Sequence, residues 1–400
     1  ALIFCGGVGT GFDSKSLKTI RKQLDPITQK NSPFKNPPAG ADARGARWVR
    51  PELAAEVEFT EWTDDNLLRH PSFKGLREDK PAREIIRERS SPEETVTKDG
   101  NQKTSAADTI AGVHLSHPDR VLYPDQGLTK GELAEFYADI ADWILPHVVN
   151  RPLTIVRCPG GSQSQCFYQK NVGEGLPEAI HGVSIEGKEA DKTYISIKDL
   201  KGLISLVQIG VLEIHPWGSR IDNLEKPDRM VFDLDPGEGV SYRSVVDAAF
   251  KIRDILDGLG LRSFVKTSGG KGLHVVVPLE RRSGWEEMKS FSKAVADEMV
   301  RLEPEKYIAT MSKAKRKGKI FIDYLRNNRD ATAVAAYSTR ARKGAPVSTP
   351  ITWDELSPGL APNKYNVSNL RARLSSLKED PWKDFFTTRQ AITAGMKKKI

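Results

Sequence analysis

A chain of 400 residues is too long for one small core and fits two or three domains. Lys and Arg number 61 against 53 Asp and Glu, and the net charge of +8 has the sign expected of a phosphate-binding protein without being diagnostic of one. Cys5, Cys158 and Cys166 lack metal-ligand or C-x-x-C spacing, and no apolar run approaches about 18 residues; a disulfide framework, a zinc site, a membrane span and a secretory leader are therefore not indicated, and a reducing, cytoplasmic setting is expected.

At the N-terminus, Leu2 to Phe4 and the glycine-interspersed Val8 to Phe12 predict short strands, and Leu17, Ile20 and Leu24 among basic residues predict a surface helix. Ala54 to Trp62 alternates as a half-exposed strand, sending Val57 and Phe59 to one side. Residues 87–112 are polar, mixed in charge and nearly free of large apolar side chains, which predicts a flexible linker between a small β-rich unit at 1–86 and a larger one at 113–395.

In the larger unit, Thr129-Lys130-Gly131-Glu132 has the Thr-x-x-Glu form of a capping box, and Leu133, Phe136, Tyr137, Ile140 and Ile144 continue at helical spacing. One helix within Gly127 to Val149, ending at Pro146, is expected. Further helices are predicted where Val245, Ala249, Ile252, Leu256 and Leu259 recur, and where Trp285, Met288, Phe291, Val295 and Met299 recur. Strands are expected at Leu153 to Arg157, Met230 to Asp235, Ser263 to Thr267, Leu273 to Pro278 and Lys319 to Leu325, so the class is α+β, a core of mixed sheets flanked by helices.

Asp233 and Asp235 stand two apart on a strand, so both carboxylates leave one face while Phe232 and Leu234 leave the other. Two converging acids invite a hard divalent cation. Asp323 interrupts the apolar run Ile320 to Leu325, where a third metal-ligand role competes with a buried ion pair to Arg326 or Arg329. Lys266 to His274 places a glycine-rich turn between two strands, unlike a Walker loop; Ser268 and His274 flank a backbone that a phosphate can approach closely. His215 lies upstream, and Arg340 and Arg342 occupy one side of an extended segment, as a triphosphate clamp requires. Lys130 falls in a helical first turn whose free N–H groups and dipole attract anions, with Arg120 nearby. Phe167 and Tyr168 offer faces for stacking bases, with core packing as the alternative, and the run Lys313 to Lys319 reads as solvated, with DNA-backbone contact as the alternative.

DxD, then Ser268-Gly269-Gly270-Lys271-Gly272-Leu273-His274, then a late strand Asp closely resembles the three motifs of the archaeo-eukaryotic primase superfamily, and within it the polymerase domain of bacterial DNA ligase D. The resemblance runs from His114 to about Ile392 through HPDRVLYP, GLTKGELAEFY, RPLTIVRCP, EIHPWGSR, VFDLDPGEG, KTSGGKGLHVVVPL and GKIFIDYLRN. It implies that Asp233, Asp235 and Asp323 hold two Mn2+ or Mg2+ ions, with Ser268, His274, His215, Arg326 and Arg340 around an incoming NTP or dNTP. It also implies that Lys130 and Arg120 bind a DNA 5′-phosphate and that Phe167 packs near the template. Manganese and ribonucleotide preference, Ku as partner, and end joining on the bacterial nucleoid follow from the same resemblance. Where relatives often carry Asn before the proline, this chain has His117. At the N-terminus, Gly7 to Phe12, Trp48 to Pro51 and Arg69 to Lys80 resemble the end of an ATP-dependent ligase's OB domain, with Arg77 and Lys80 matching its last motif. The adenylated-lysine motif is missing, so the chain reads as a fragment and is not expected to ligate alone. The rival readings are a primase that starts chains de novo and a DNA-end-binding scaffold with a decayed site.

Overall fold

The computed structural model describes residues 2–9, 14–38, 45–58, 67–68, 71–77, 109–173, 175–185, 192–312 and 315–400. The chain forms two compact units, Ala1–Asn101 and Gln102–Ile400. In the first are α1 (Ser14–Leu24), β1 (Thr28–Gln29), β2 (Trp48–Val49), β3 (Ala54–Glu58) and β4 (Ser72–Arg77). The antiparallel pairs β1–β2 and β3–β4 form two small sheets, and Phe34 receives Phe4 and Trp48 edge-on at 5.6 and 6.2 Å. The helix stands where its periodicity puts it. Leu2 makes a single bridge to Phe34, and Val8 and Gly9 are not in a strand. The remainder of that expected strand, the end of the Ala54 to Trp62 strand, Arg69, His70 and Lys80 lie outside the described residues, as do 87–108 of the expected linker.

The second unit starts with β5 (Thr109–Ile110), inside the stretch expected to be linker, paired with β6 (Val113–His114). There follow β7 (Val121–Tyr123), β8 (Leu128–Thr129), α2 (Lys130–Asp139), α3 (Ala141–Val148), β9 (Leu153–Arg157), β10 (Phe167–Gln169), β11 (His181–Ile185), β12 (Lys192–Ser196), α4 (Leu200–Gln208) and β13 (Val211–Pro216). The chain continues with β14 (Arg229–Pro236), α5 (Tyr242–Gly258), β15 (Phe264–Thr267), β16 (Leu273–Pro278), α6 (Trp285–Leu302), β17 (Tyr307–Ile308), β18 (Ile320–Asp323), β19 (Pro350–Ile351), α7 (Val367–Ser376) and α8 (Ala394–Lys399). The class is the expected α+β.

Two expectations are corrected. The single helix expected within Gly127 to Val149 is two helices: it starts at Lys130, where its capping box puts it, and divides at Ile140, whose N–H is shared between the Phe136 and Ala138 carbonyls. The capping box is present, Thr129 accepting from the Glu132 N–H and Glu132 from the Thr129 N–H, while Pro146 lies inside α3 instead of ending it. Cys158 and Cys166 are disulfide-bonded. Spacing alone hid this, because the antiparallel register Arg157 to Phe167 between β9 and β10 sets the flanking cysteines opposite each other.

Two sheets frame the unit. The larger has the order β17-β18-β14-β16-β15-β19, and the smaller has β10-β9-β12-β11 with β13 also on β9. Period 2 buries Phe232, Leu234, Val275, Val277 and Ile322 completely; α5 packs on β14 and β16, and α6 on β14. Residues 333–349 stitch the sheets together. Ala335 N–H donates to Ile214 O at 2.9 Å and Thr339 Oγ1 to Leu212 O at 2.6 Å on β13, while Ser348 Oγ donates to Thr267 O at 2.9 Å on β15. Two glycines hem in the end of β14: an added Cβ at Gly272 would collide with the Leu234 carbonyl oxygen, and one at Gly237 with that of Arg316.

Phe232→Ala is expected to lower the unfolding free energy of this unit by about 3–5 kcal/mol, through lost burial and a cavity beneath the site. Urea denaturation checks this, and a loss below about 1 kcal/mol would mean that the sheet face is not close-packed.

Candidate active site

Antiparallel register builds the site. Across the larger sheet, Asp323 on β18 pairs with Asp233 on β14, Asp233 with His274 on β16, and His274 with Lys266 on β15. Four titratable side chains thus stand in one row on one face, with Asp235 two residues further along β14. Directly opposed side chains have Cβ atoms about 5 Å apart. At that separation two carboxylates repel by about 3 kcal/mol at an effective dielectric near 20.

Arginines answer that repulsion. Arg326 Nη2 lies 2.8 Å from Asp323 Oδ2 and its Nε 3.7 Å from Asp233 Oδ2, while Arg316 Nη1 is 3.5 Å from Asp235 Oδ2. His274 Nε2 is 3.4 Å from Asp233 Oδ1. Burial pushes the Asp233 carboxyl up, but His274, Arg326 and Lys266 together outweigh it and hold the group below the usual carboxylate range. Asp235 and Asp323 are instead raised, by burial first and also by the Asp233 charge. Of the two arginines weighed as Asp323 partners, Arg326 is the one used; Arg329 pairs with Glu225 at 2.9 Å. Arg316 is not simply solvated, since it also covers the Phe321 ring at 3.9 Å; Lys313 and Ala314 lie outside the described residues.

The acid trio has the oxygen donors that suit a hard divalent cation. Among the described residues no group of three His, Cys, Asp or Glu side chains is arranged to hold an ion. The Arg326 guanidinium supplies the positive charge between Asp323 and Asp233, so a cation binding there must displace it.

Beside the row, the turn joining β15 to β16 is closed by Ser268, whose Oγ donates to Gly272 O at 2.9 Å and accepts from the Gly270 and Gly272 N–H groups at 3.3 Å. Arg340 Nη1 donates to Ser268 O at 2.5 Å, and exposed Arg342 leans over Gly270. On β13, His215 Nε2 is 2.8 Å from Glu213 Oε2, and Arg340 Nε is 3.0 Å from the same carboxylate. Burial lowers His215 and, with Lys266, brings His274 down to about 4, so both imidazoles are neutral at pH 7. Tyr168, 74% exposed on β10, stands edge-on to His215 at 6.3 Å. Phe167 is likewise exposed, with the Arg157 guanidinium 5.4 Å from its ring centre.

Lys130 departs from expectation in its surroundings. It occupies the first position of α2, but its own N–H donates to Arg120 O and the Gly131 N–H to Pro118 O, both at 2.8 Å, and the Glu132 N–H goes to Thr129. The free N–H groups invoked for an anion are therefore taken by the chain, leaving the side chains of Lys130 and exposed Arg120 to attract one. Lys130 Nζ donates to Ser116 O at 2.6 Å; burial and then Arg120 lower the ammonium to about 8. His117 turns the preceding loop at φ 52°, a left-handed conformation that Asn adopts readily.

Sequence reasoning assigned no role to Lys266 or Glu213. Lys266 is buried, with Nζ donating to Ser348 Oγ at 2.6 Å, and burial holds its pKa well below the usual lysine value. A lysine inside the strand run FVKT was the available signal. For Glu213 it was the alternation Glu213, His215 within an apolar strand.

A family described as LigD, primase-polymerase domain matches residues 129–382, and one described as ATP dependent DNA ligase C terminal region matches residues 1–80. The multifunctional non-homologous end joining protein LigD of Pseudomonas aeruginosa is 41% identical over 403 residues, covering 100% of this chain and 48% of that protein. Its Mycolicibacterium smegmatis namesake is 36% identical over 247 residues, 61% of this chain and 32% of its own. This chain thus spans about half the length of the first relative and less of the second. The solved polymerase domain from Mycobacterium tuberculosis ligase D in complex with DNA superposes with a TM-score of 0.64 at 31% identity, over 69% of this chain and 98% of that one. The domain match, this superposition and the in-register acids place the chain in the LigD primase-polymerase family.

Proposed function

We propose that this chain is a repair polymerase that adds nucleotides, ribonucleotides by preference, to DNA 3′ ends at gaps and double-strand breaks in end joining. The row Asp323, Asp233, His274 and Lys266 beside Asp235 carries the reading. In the proposed reaction a primer 3′-hydroxyl oxygen bonds to the α-phosphorus of a nucleoside triphosphate, its bond to the leaving oxygen breaks, and pyrophosphate departs. Asp233, Asp235 and Asp323 would hold the divalent ions, which supply activation of the attacking oxygen and neutralisation of the leaving group. Arg326 and Arg340 orient the triphosphate, Ser268 fixes the turn against which it lies, and His274 steadies Asp233. Exposed Phe167 and Tyr168 supply stacking faces for the template.

Lys130 and Arg120 would take the 5′-phosphate on the far side of a gap. The end-joining role is supported by the relatives' being named for non-homologous end joining, and Ku as a partner and action on the nucleoid are proposed with it. Among the described residues, no helix is long and apolar enough to cross a membrane.

Manganese-dependent extension of a gapped, 5′-phosphorylated DNA by ATP or dATP is expected, and Asp233→Ala should reduce it at least about a hundredfold, because loss of a metal carboxylate removes several kcal/mol from the transition state. DNA binding without extension by the intact chain would favour the scaffold, and synthesis without a primer the de novo primase.

Lys130 gives a pH test. Its ammonium, held at about 8, is lost as pH rises through that value, whereas a lysine in the unfolded chain stays charged to about 10.4. Folding stability from this group therefore rises between those two pH values. Affinity for a 5′-phosphate falls over the same range. Preference for 5′-phosphorylated over 5′-hydroxyl gapped DNA, measured by fluorescence anisotropy, is expected to be about tenfold at pH 7 and to shrink toward pH 9. An undiminished preference in Lys130→Met would sink the assignment of this residue.

A further inference from the structure

We propose that Glu213 is a positioning residue for the incoming nucleotide, fixing Arg340 and His215 as one unit between the two sheets before the triphosphate arrives. This rests on the polymerase reading of the site. Glu213 is only 5% exposed, on a strand otherwise apolar but for His215, where an unpartnered carboxylate would be costly. Its partners all belong to the candidate nucleotide site: His215 Nε2 at 2.8 Å, Arg340 Nε at 3.0 Å and the Ala341 N–H at 2.9 Å. Asp228, by contrast, is ringed by three arginines, Arg151, Arg220 and Arg229.

The local backbone is shaped for this task. Register between β13 and β9 shifts between Val211 and Glu213, and such an irregularity re-aims the side chain that follows it. Arg340 is then held from two sides, by an ion pair with Glu213 and by a hydrogen bond to Ser268 O on the glycine-rich turn. A long arginine loses rotamer freedom when it grips an anion; here that freedom is already gone, which strengthens binding without new contacts. His215 and Arg340 outweigh the effect of burial and bring the Glu213 carboxyl down to about 2, so it remains a charged anchor at neutral pH.

The test uses the full chain and ATP as probe. Glu213→Gln is expected to weaken equilibrium ATP binding about tenfold and to raise the ATP KM by the same factor, with kcat within about threefold and DNA affinity unchanged. Glu213→Asp should recover most of the loss. In an Arg340→Met background, Glu213→Gln should add less than about twofold, because its principal partner is gone. An equal effect in both backgrounds, unchanged ATP binding, or a parallel loss of kcat and DNA affinity overturns the proposal. Should Glu213→Gln not fold, the same comparison is made with Glu213→Asp, expected to weaken ATP binding about threefold only while Arg340 is present. If the intact chain binds ATP with this pattern but incorporates none, the polymerase reading fails while the positioning role stands; no ATP binding by the intact chain overturns both.

Discussion

Antiparallel register on the larger sheet sets Asp323, Asp233, His274 and Lys266 shoulder to shoulder, and most of the surrounding structure answers that placement. Two neighbouring acids and a buried amine are each unfavourable in isolation. Arg326 bridges the acids, Ser348 Oγ accepts a hydrogen bond from the lysine, and a fully apolar layer of Phe232, Leu234 and Val275 supports the strands from the other side. The result is a platform whose charges are balanced by neighbouring side chains.

The second organising device is the segment from Ala333 to Thr349. It follows β13 by backbone and hydroxyl hydrogen bonds on both sides of Tyr337, whose φ is 66°, and meets β15 through Ser348. Arg340 and Arg342 are therefore delivered to the glycine-rich turn by a strap tied to both sheets. Cations from remote parts of the chain thus reach one place.

Much of this was legible in the sequence wherever a strict period governed the outcome. Alternation in Phe232, Asp233, Leu234 and Asp235 gave the acids their common face, and the turn between two apolar runs gave the hairpin its form. Register between separate strands was not legible, and neither were the features that depend on it: the Asp233 to Asp323 pairing, the Cys158–Cys166 bond and the in-line position of Lys266. The helix expected within Gly127 to Val149 divides at Ile140, an apolar residue at helical spacing that carries no sequence mark of a break. The first turn of α2 looked open because sequence could not reveal that the carbonyls of Pro118 and Arg120 fold back onto it. Glu213 escaped notice since a lone acid on a strand is defined by its partners, and both its ion-pair partners were themselves uncertain until placed.

Gly272 and Gly237, pressed against the carbonyls of Leu234 and Arg316, bear on how the site tolerates change. Any side chain at either position forces the backbone beside Asp235 to move. In a random substitution library screened for lost function, these glycines would therefore score as severely as the acids. Their intolerance would report a steric limit on the backbone, so a map of sensitive positions overstates the chemical centre unless folding is scored alongside it.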